Sequence, residues 1–270
     1  IIFQGPIYNE FTINTIKQYQ KNYPNIKIIY STWIDESKEF IQKLKELKIS
    51  VIINDKPNYK ISGSQDLMII SMRSALRELR SCNSIKYICR HRGDQRVGHP
   101  NWIESLKSLL KLIPSKGDIN DSGKRIVTLS GDSGKFRLFM LSDQFQFGAK
   151  DDIEKLWNVP IFPIGYKALI KDDPDLINRT RCTKIGLKGE NYIHYSFYKK
   201  IYPQGKWSWK DFVNLIKIKF IVLDDQSLYF DWQRKAPTKY SMVWLENFVN
   251  TNAFKYPNTS ALAGSMSFLD

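Results

Sequence analysis

The segment YICRHRGDQR, residues 87 to 96, opens as an apolar strand and closes in charge. Arg90, His91, Arg92, Asp94 and Arg96 read together as a cationic rim around one carboxylate. An aspartate at the end of a strand offers hard oxygen ligands to manganese or magnesium, and such a cation neutralises a diphosphate leaving group. Arginines beside it bind phosphate oxygens through paired hydrogen bonds. Asp94 is thus a candidate metal ligand, and Arg90, Arg92 and Arg96 are candidate phosphate binders. The competing reading is a surface turn whose charges are solvated.

Two further carboxylates stand out. Glu190, in KGENYIHYSF, heads a helical pattern, where it can take the proton of an attacking hydroxyl or serve as an ordinary helix cap. Asp143, in LSDQFQFG, falls at the end or bend of a strand and is the competing base; it can instead order its loop or bind acceptor hydroxyls. Trp33, Trp102, Trp157, Trp207, Trp209, Trp232 and Trp244 offer faces for stacking on a sugar, although such residues more often fill a core.

Several chemistries are unsupported. No Gly-x-x-x-x-Gly-Lys-Ser/Thr run, no Gly-x-Gly-x-x-Gly after the first strand and no Gly-x-Ser-x-Gly elbow occurs. Three histidines and three cysteines, without Cys-x-x-Cys or His-x-x-x-His spacing, give neither a zinc site nor a disulfide framework. A reducing, cytoplasmic compartment is the simplest expectation.

The candidate residues need elements to hold them. IIFQGPI reads as a strand, EFTINTIKQYQKNY as a helix, IKIIYSTW as a strand, DESKEFIQKLKELK as a helix and ISVIIND as a third strand. A helix over residues 65–79 then leads into IKYICRHR. This alternation predicts an α/β fold: a single domain with a mostly parallel central sheet flanked by helices on both faces. Ligands of such sheets sit outside the carboxyl ends of the strands. That places Gly5, Pro6 and Ile7, then Thr32 and Trp33, then Asn54 and Asp55, and finally Asp94 and Gln95 along one rim. Beyond the helix in PNWIESLKSLLKLI, RIVTLS and RLFMLSDQFQFG read as strands, AKDDIEKLW as a helix and KFIVLD as a strand.

The formal charge of +14 over 270 residues points to an anionic partner, or simply to Lys-rich composition from an AT-rich genome. No run of 18 uncharged apolar residues appears, and the opening IIFQGPIYNE carries neither a charged leader region nor a cleavage site.

Five of these segments, in order, resemble the WavE family of lipopolysaccharide-synthesis proteins: FQGPI, TINTIKQYQKNYPNIKIIYSTW, RHRGDQR, FMLSDQFQFGAKDDIEKLW and GENYI. They span residues 3 to 195. The resemblance implies a GT-A-like glycosyltransferase in residues 1–210, followed by a C-terminal extension, 211–270, packed on the same domain. It implies that Gly5, Pro6 and Ile7 border the nucleoside and that Asp94 with Arg92 and Arg96 faces the diphosphate. Ser142 and Asp143 would then lie near the acceptor, with Glu190 as base and inversion at the anomeric carbon. The Asp-x-Asp usual in GT-A enzymes is reduced here to Gly93, Asp94 and Gln95, which shifts phosphate binding toward the arginines.

The implied partners are a nucleotide sugar and a glycan or lipid-linked glycan acceptor of the bacterial surface, with peripheral contact to an anionic inner membrane. The alternatives are a basic module for nucleic acid or membrane, and an inactive scaffold domain. No nucleic-acid motif accompanies the charge.

Overall fold

The computed structural model describes residues 1–57, 65–115, 124–130, 133, 138–174, 176 and 189–233. The residues 234–270 of the expected extension, with Trp244, and also Cys182, lie outside them.

The first half folds as the alternation predicts. Strand β1 (Ile2–Gln4) leads to helix α1 (Asn9–Asn22), β2 (Ile29–Trp33), α2 (Lys38–Glu46), β3 (Ser50–Asn54), α3 (Gln65–Leu79) and β4 (Tyr87–Arg92). Apolar spacing sets the buried face of α1, where Ile13, Ile16 and Tyr19 are inside. The start of α2 is fixed by Ser37, whose hydroxyl accepts from Phe40 N, a cap worth about 1 kcal/mol. Then follow β5 (Gln95–Val97), α4 (Trp102–Leu112), β6 (Ile126–Leu129), β7 (Gln146–Ala149) and α5 (Lys150–Trp157). The later elements are α6 (Phe162–Asp172), α7 (Glu190–Ile201), α8 (Trp209–Lys219), β8 (Phe220–Leu223) and β9 (Phe230–Trp232).

Among the described residues, seven strands form the central sheet in the order β3-β2-β1-β4-β7-β6-β8. Of these seven, β7 alone runs antiparallel to its neighbours, so the α/β class and mostly parallel sheet are as expected. Helices α1, α2 and α4 cover one face through Ile16, Leu44 and Leu106. The other face is covered by α3, α5, α6, α7 and α8 through Met72, Leu156, Leu169, Ile193 and Leu215. From residue 211 onward the chain enters this architecture directly, since β8 pairs with β6 at the sheet edge.

One expected strand is shorter than its sequence pattern. Of RLFMLSDQFQFG, only the last part enters a strand, beginning at Gln146. The apolar residues before it bury differently: Phe139 has a left-handed backbone (φ 58°) and packs among Tyr195, Trp207 and Phe212. The apolar alternation there reflects a buried irregular segment, with side chains meeting helices rather than a neighbouring strand.

Candidate active site at the carboxyl rim of the sheet

The chain leaves β1 to one side to build β2 and β3 and returns to its other side as β4. The strand order therefore reverses between β1 and β4, the position at which open α/β sheets leave a crevice beyond their carboxyl ends. Two turns flank that reversal, Gly5–Ile7 after β1 and Gly93–Asp94 after β4.

These turns are locked to each other. Gly5 has φ +96°, a conformation that glycine adopts at low cost, and its N–H donates to Ser31 O at 3.1 Å. Tyr30 Oη donates to Pro6 O at 3.0 Å, and Thr12 Oγ1 donates to Gly93 O at 2.7 Å. A Cβ on Gly93 would lie 2.2 Å from the Tyr30 hydroxyl and 2.7 Å from Pro6 O, so only glycine fits. Glu36 fixes the other side of the first turn, accepting from Ile7 N at 2.7 Å, Thr32 Oγ1 at 3.2 Å and Ser37 N at 3.0 Å. Thr32 and Trp33 are themselves buried, whereas Pro6 and Asp55 are exposed at the rim.

The charged turn is more ordered than a solvated cluster. Arg92 grips Asp94 through two hydrogen bonds, Nε to Oδ1 at 3.0 Å and Nη2 to Oδ2 at 3.1 Å. Trp232 Nε1 also donates to Asp94 Oδ2, at 3.1 Å, and the Arg92 guanidinium lies over the Trp232 ring. Trp232 arrives on β9, which pairs antiparallel with β5 and ties Arg96 to Asp231 at 2.9 Å. Arg96 also lies over the Phe11 ring. Gln95 Nε2 donates to Gln144 Oε1 at 3.0 Å, joining the turn to the segment that holds Asp143.

Beneath the rim the cationic string divides in two. Arg90 and His91 are 1% and 0% exposed and are interior residues, which corrects the reading of both as part of the rim. Alternation along β4 sends them to opposite faces of the sheet. His91 donates from Nδ1 to Arg92 O at 2.9 Å and accepts at Nε2 from Tyr19 Oη at 3.1 Å. That hydroxyl in turn accepts from Val97 N at 2.7 Å. Burial lowers the His91 pKa to about 4, so the ring is neutral.

Arg90 faces α5, with its guanidinium stacked over Trp157. Its Nε donates to Gln4 Oε1 at 2.5 Å and its Nη2 to Asp143 Oδ2 at 3.0 Å. Burial lowers its pKa, while Asp143 and Glu190 oppose that shift by their negative charge. Gln4 is held by Ser71 and the carbonyl of Met68. Glu190 is the first residue of α7, after Gly189 with φ +55°, and its carbonyl accepts from His194 Nδ1 at 2.8 Å. His194 Nε2 faces Gln146 Nε2 at 3.4 Å, and Gln146 Oε1 accepts from Trp157 Nε1 at 2.8 Å.

The rim thus joins Gly5, Pro6, Ile7 and Thr32 to the Arg92–Asp94 turn, and Gln95 to the Asp143 segment, while Arg90 connects Asp143 with the Glu190 charge. Asp55 stands at the same rim, directly after β3. Sequence reading passed over Glu36, Gln4 and the clasping role of Trp232. An acid just after a strand, in WIDES, was the only available signal for Glu36. Cys89 is buried, and burial pushes its thiol up to about 12.

The donor set does not match a preformed divalent-cation site. Both Asp94 oxygens already accept from Arg92 or Trp232, and among the described residues no three His, Cys, Asp or Glu side chains converge. The guanidinium of Arg92 balances the charge of Asp94.

Concavities also occur away from the rim. A cavity of about 910 Å³ opens at the amino ends of the strands among Ile26, Lys27, Ile85 and Lys107. A groove of about 440 Å³ between α3 and α5 carries Arg73, Arg77, Arg80 and Lys155. Neither holds the carboxylates singled out above. No helix among the described residues is long and apolar enough to cross a membrane.

No protein-family model and no curated protein matches the chain, so the WavE resemblance rests on the quoted segments alone. Solved structures overlap loosely. A glycosyltransferase involved in the glycosylation of the major capsid of PBCV-1 aligns at 12% identity over 83% of this chain and 80% of its own, with a TM-score of 0.36. A 4-diphosphocytidyl-2C-methyl-D-erythritol synthase from Anaerococcus prevotii aligns at 9% identity over 92% and 96%, with a TM-score of 0.40. A cytidylyltransferase from Leptospira borgpetersenii aligns at 12% identity over 80% and 92%, with a TM-score of 0.38. At such scores the chemistry has to be read from the rim itself.

Proposed function

We propose that this chain is a GT-A-like glycosyltransferase that moves a sugar from a nucleotide-sugar donor to a hydroxyl of a growing bacterial surface glycan, as its WavE-like segments imply. The observation that carries this reading is the coincidence of the strand-order reversal with the Arg92–Asp94 turn. The nucleoside would lie along Gly5, Pro6 and Ile7, with Thr32, Trp33 and Asp55 bordering it. The diphosphate would meet Arg92 and Arg96 beside Asp94 and Gln95.

In this reading Glu190 takes the proton from the acceptor hydroxyl, and that oxygen attacks the anomeric carbon. The bond from that carbon to the diphosphate oxygen breaks, its electron pair leaving with the nucleotide, and the anomeric configuration inverts. Arg92 stabilises the charge gathering on the leaving group. Asp143, bound to Arg90, is better suited to holding a hydroxyl than to removing a proton. The reaction would occur on the cytoplasmic side, where Arg73 and Arg77 on α3 and Arg80 just after it would favour peripheral contact with anionic lipid.

A thermal-shift and hydrolysis screen against a panel of nucleotide sugars, with and without manganese, tests the reading. The expected result is stabilisation by one donor and slow nucleotide release that fades in Asp94→Ala. Little dependence on manganese is expected, because Arg92 balances Asp94. No response to any donor, together with salt-sensitive binding to nucleic acid, would replace this reading with a basic binding module.

A further inference from the structure

The Arg90–Asp143 ion pair is almost completely buried, with side-chain exposures of 1% and 2%. Such a pair contributes little net stability, because taking both charges out of water offsets their attraction. It is also incomplete. Arg90 Nη1 is buried without a hydrogen-bond partner, and among the described residues Asp143 Oδ1 accepts no hydrogen bond. One unused donor and one unused acceptor therefore belong to the same salt bridge.

That combination selects a ligand by charge. A phosphate oxygen would satisfy Nη1 but be repelled by Asp143, and a metal cation would satisfy Oδ1 but be repelled by Arg90. A neutral hydroxyl donates one hydrogen bond and accepts others, so it answers both groups. The neighbouring connections are firm, with Gln4 on Arg90 Nε and Trp157 beneath the guanidinium, so the pair is held in place before any ligand arrives.

We infer that the Arg90–Asp143 pair is a specificity-determining element that reads one ring hydroxyl of the donor sugar, through Asp143 Oδ1 as acceptor and Arg90 Nη1 as donor. This inference rests on the glycosyltransferase reading above. Arg92 and Asp94 handle the nucleotide diphosphate, and Arg90 and Asp143 distinguish the sugar.

The test uses the intact chain and the donor found in the screen, together with its monodeoxy analogues and the free nucleoside diphosphate, measured by calorimetry. One deoxy position is expected to weaken binding on the order of 10- to 100-fold, while the others change it little. In Arg90→Lys and Asp143→Asn, the preference for that hydroxyl should disappear while affinity for the free nucleoside diphosphate is retained. Should Arg90→Lys fail to fold, the deoxy series on the native chain together with Asp143→Asn decides the matter. Equal binding of all deoxy donors, or an unchanged preference in the variants, overturns the inference and leaves the transferase reading standing. Failure of the native chain to bind any donor or nucleotide overturns both.

Discussion

Arg90 and His91 are adjacent in one strand, equally hidden and similarly cationic in the sequence, yet they belong to different kinds of region. On the face of α1 and α4, His91 completes a chain of hydrogen bonds from Val97 through Tyr19 to Arg92, with Phe3 and Phe145 around it. Every polar atom of its ring is used. On the face of α3 and α5, Arg90 sits in a network that stops short, with Nη1 unmatched. A closed buried network fixes structure, whereas an open one costs stability and calls for a ligand to explain it.

The largest effect that would sharpen this contrast is Arg90→Met. It leaves Asp143 buried without its cation, and should cost about 3–5 kcal/mol in urea unfolding. Adding Asp143→Leu should restore most of that loss without restoring donor binding. A double variant as unstable as the single one would mean that the pair is part of the fold's essential framework.

Acid should act through the histidines on both faces. Burial lowers His91 and His194 from 6.5 to about 4, so both stay neutral in the fold where the unfolded chain's imidazoles are charged. Between those values the unfolded chain binds more protons, and stability falls as pH drops, by up to about 1.4 kcal/mol per pH unit for each histidine. Above pH 6.5 this contribution is flat. Unfolding midpoints measured from pH 7 to 4 should show the slope, and His194→Gln should reduce it.

Opening the closed side tests the comparison directly. Tyr19→Phe strips the hydroxyl that links Val97 N to His91, leaving both without it, at about 1–3 kcal/mol. Nucleotide affinity should not change; if it does, the two faces are not independent. The smallest effect is expected at the clasp. Trp232→Phe removes one donor from Asp94, which Arg92 still holds twice, so stability should change by about 0.5–1.5 kcal/mol.

The comparison also explains what the sequence could tell. Strands β1 to β4 were legible because parallel crossovers impose a strong alternation of apolar runs and amphipathic helices, and Asp94 and Glu190 were legible as charges at element ends. Arg90 and His91 were not separable, because a string does not say which face of a strand is polar inside. The clasp of β5 with β9 joins two strands of three residues, from distant parts of the chain, too short to leave a periodic signal. Trp232 could be named among the tryptophans, but its bond to Asp94 depends on that long-range pairing. Residues 138–145 misled for the opposite reason, since alternating apolar residues buried against helices look like a strand.

The central claim is that ligand binds at the carboxyl rim, beside the β1–β4 reversal. Hydrogen–deuterium exchange of the intact chain, with and without the donor from the screen, measures this most directly. Added protection is predicted at Gly5–Ile7 and across Arg92–Val97. Protection confined to the amino-end cavity, around Ile26, Lys27, Ile85 and Lys107, would contradict the account.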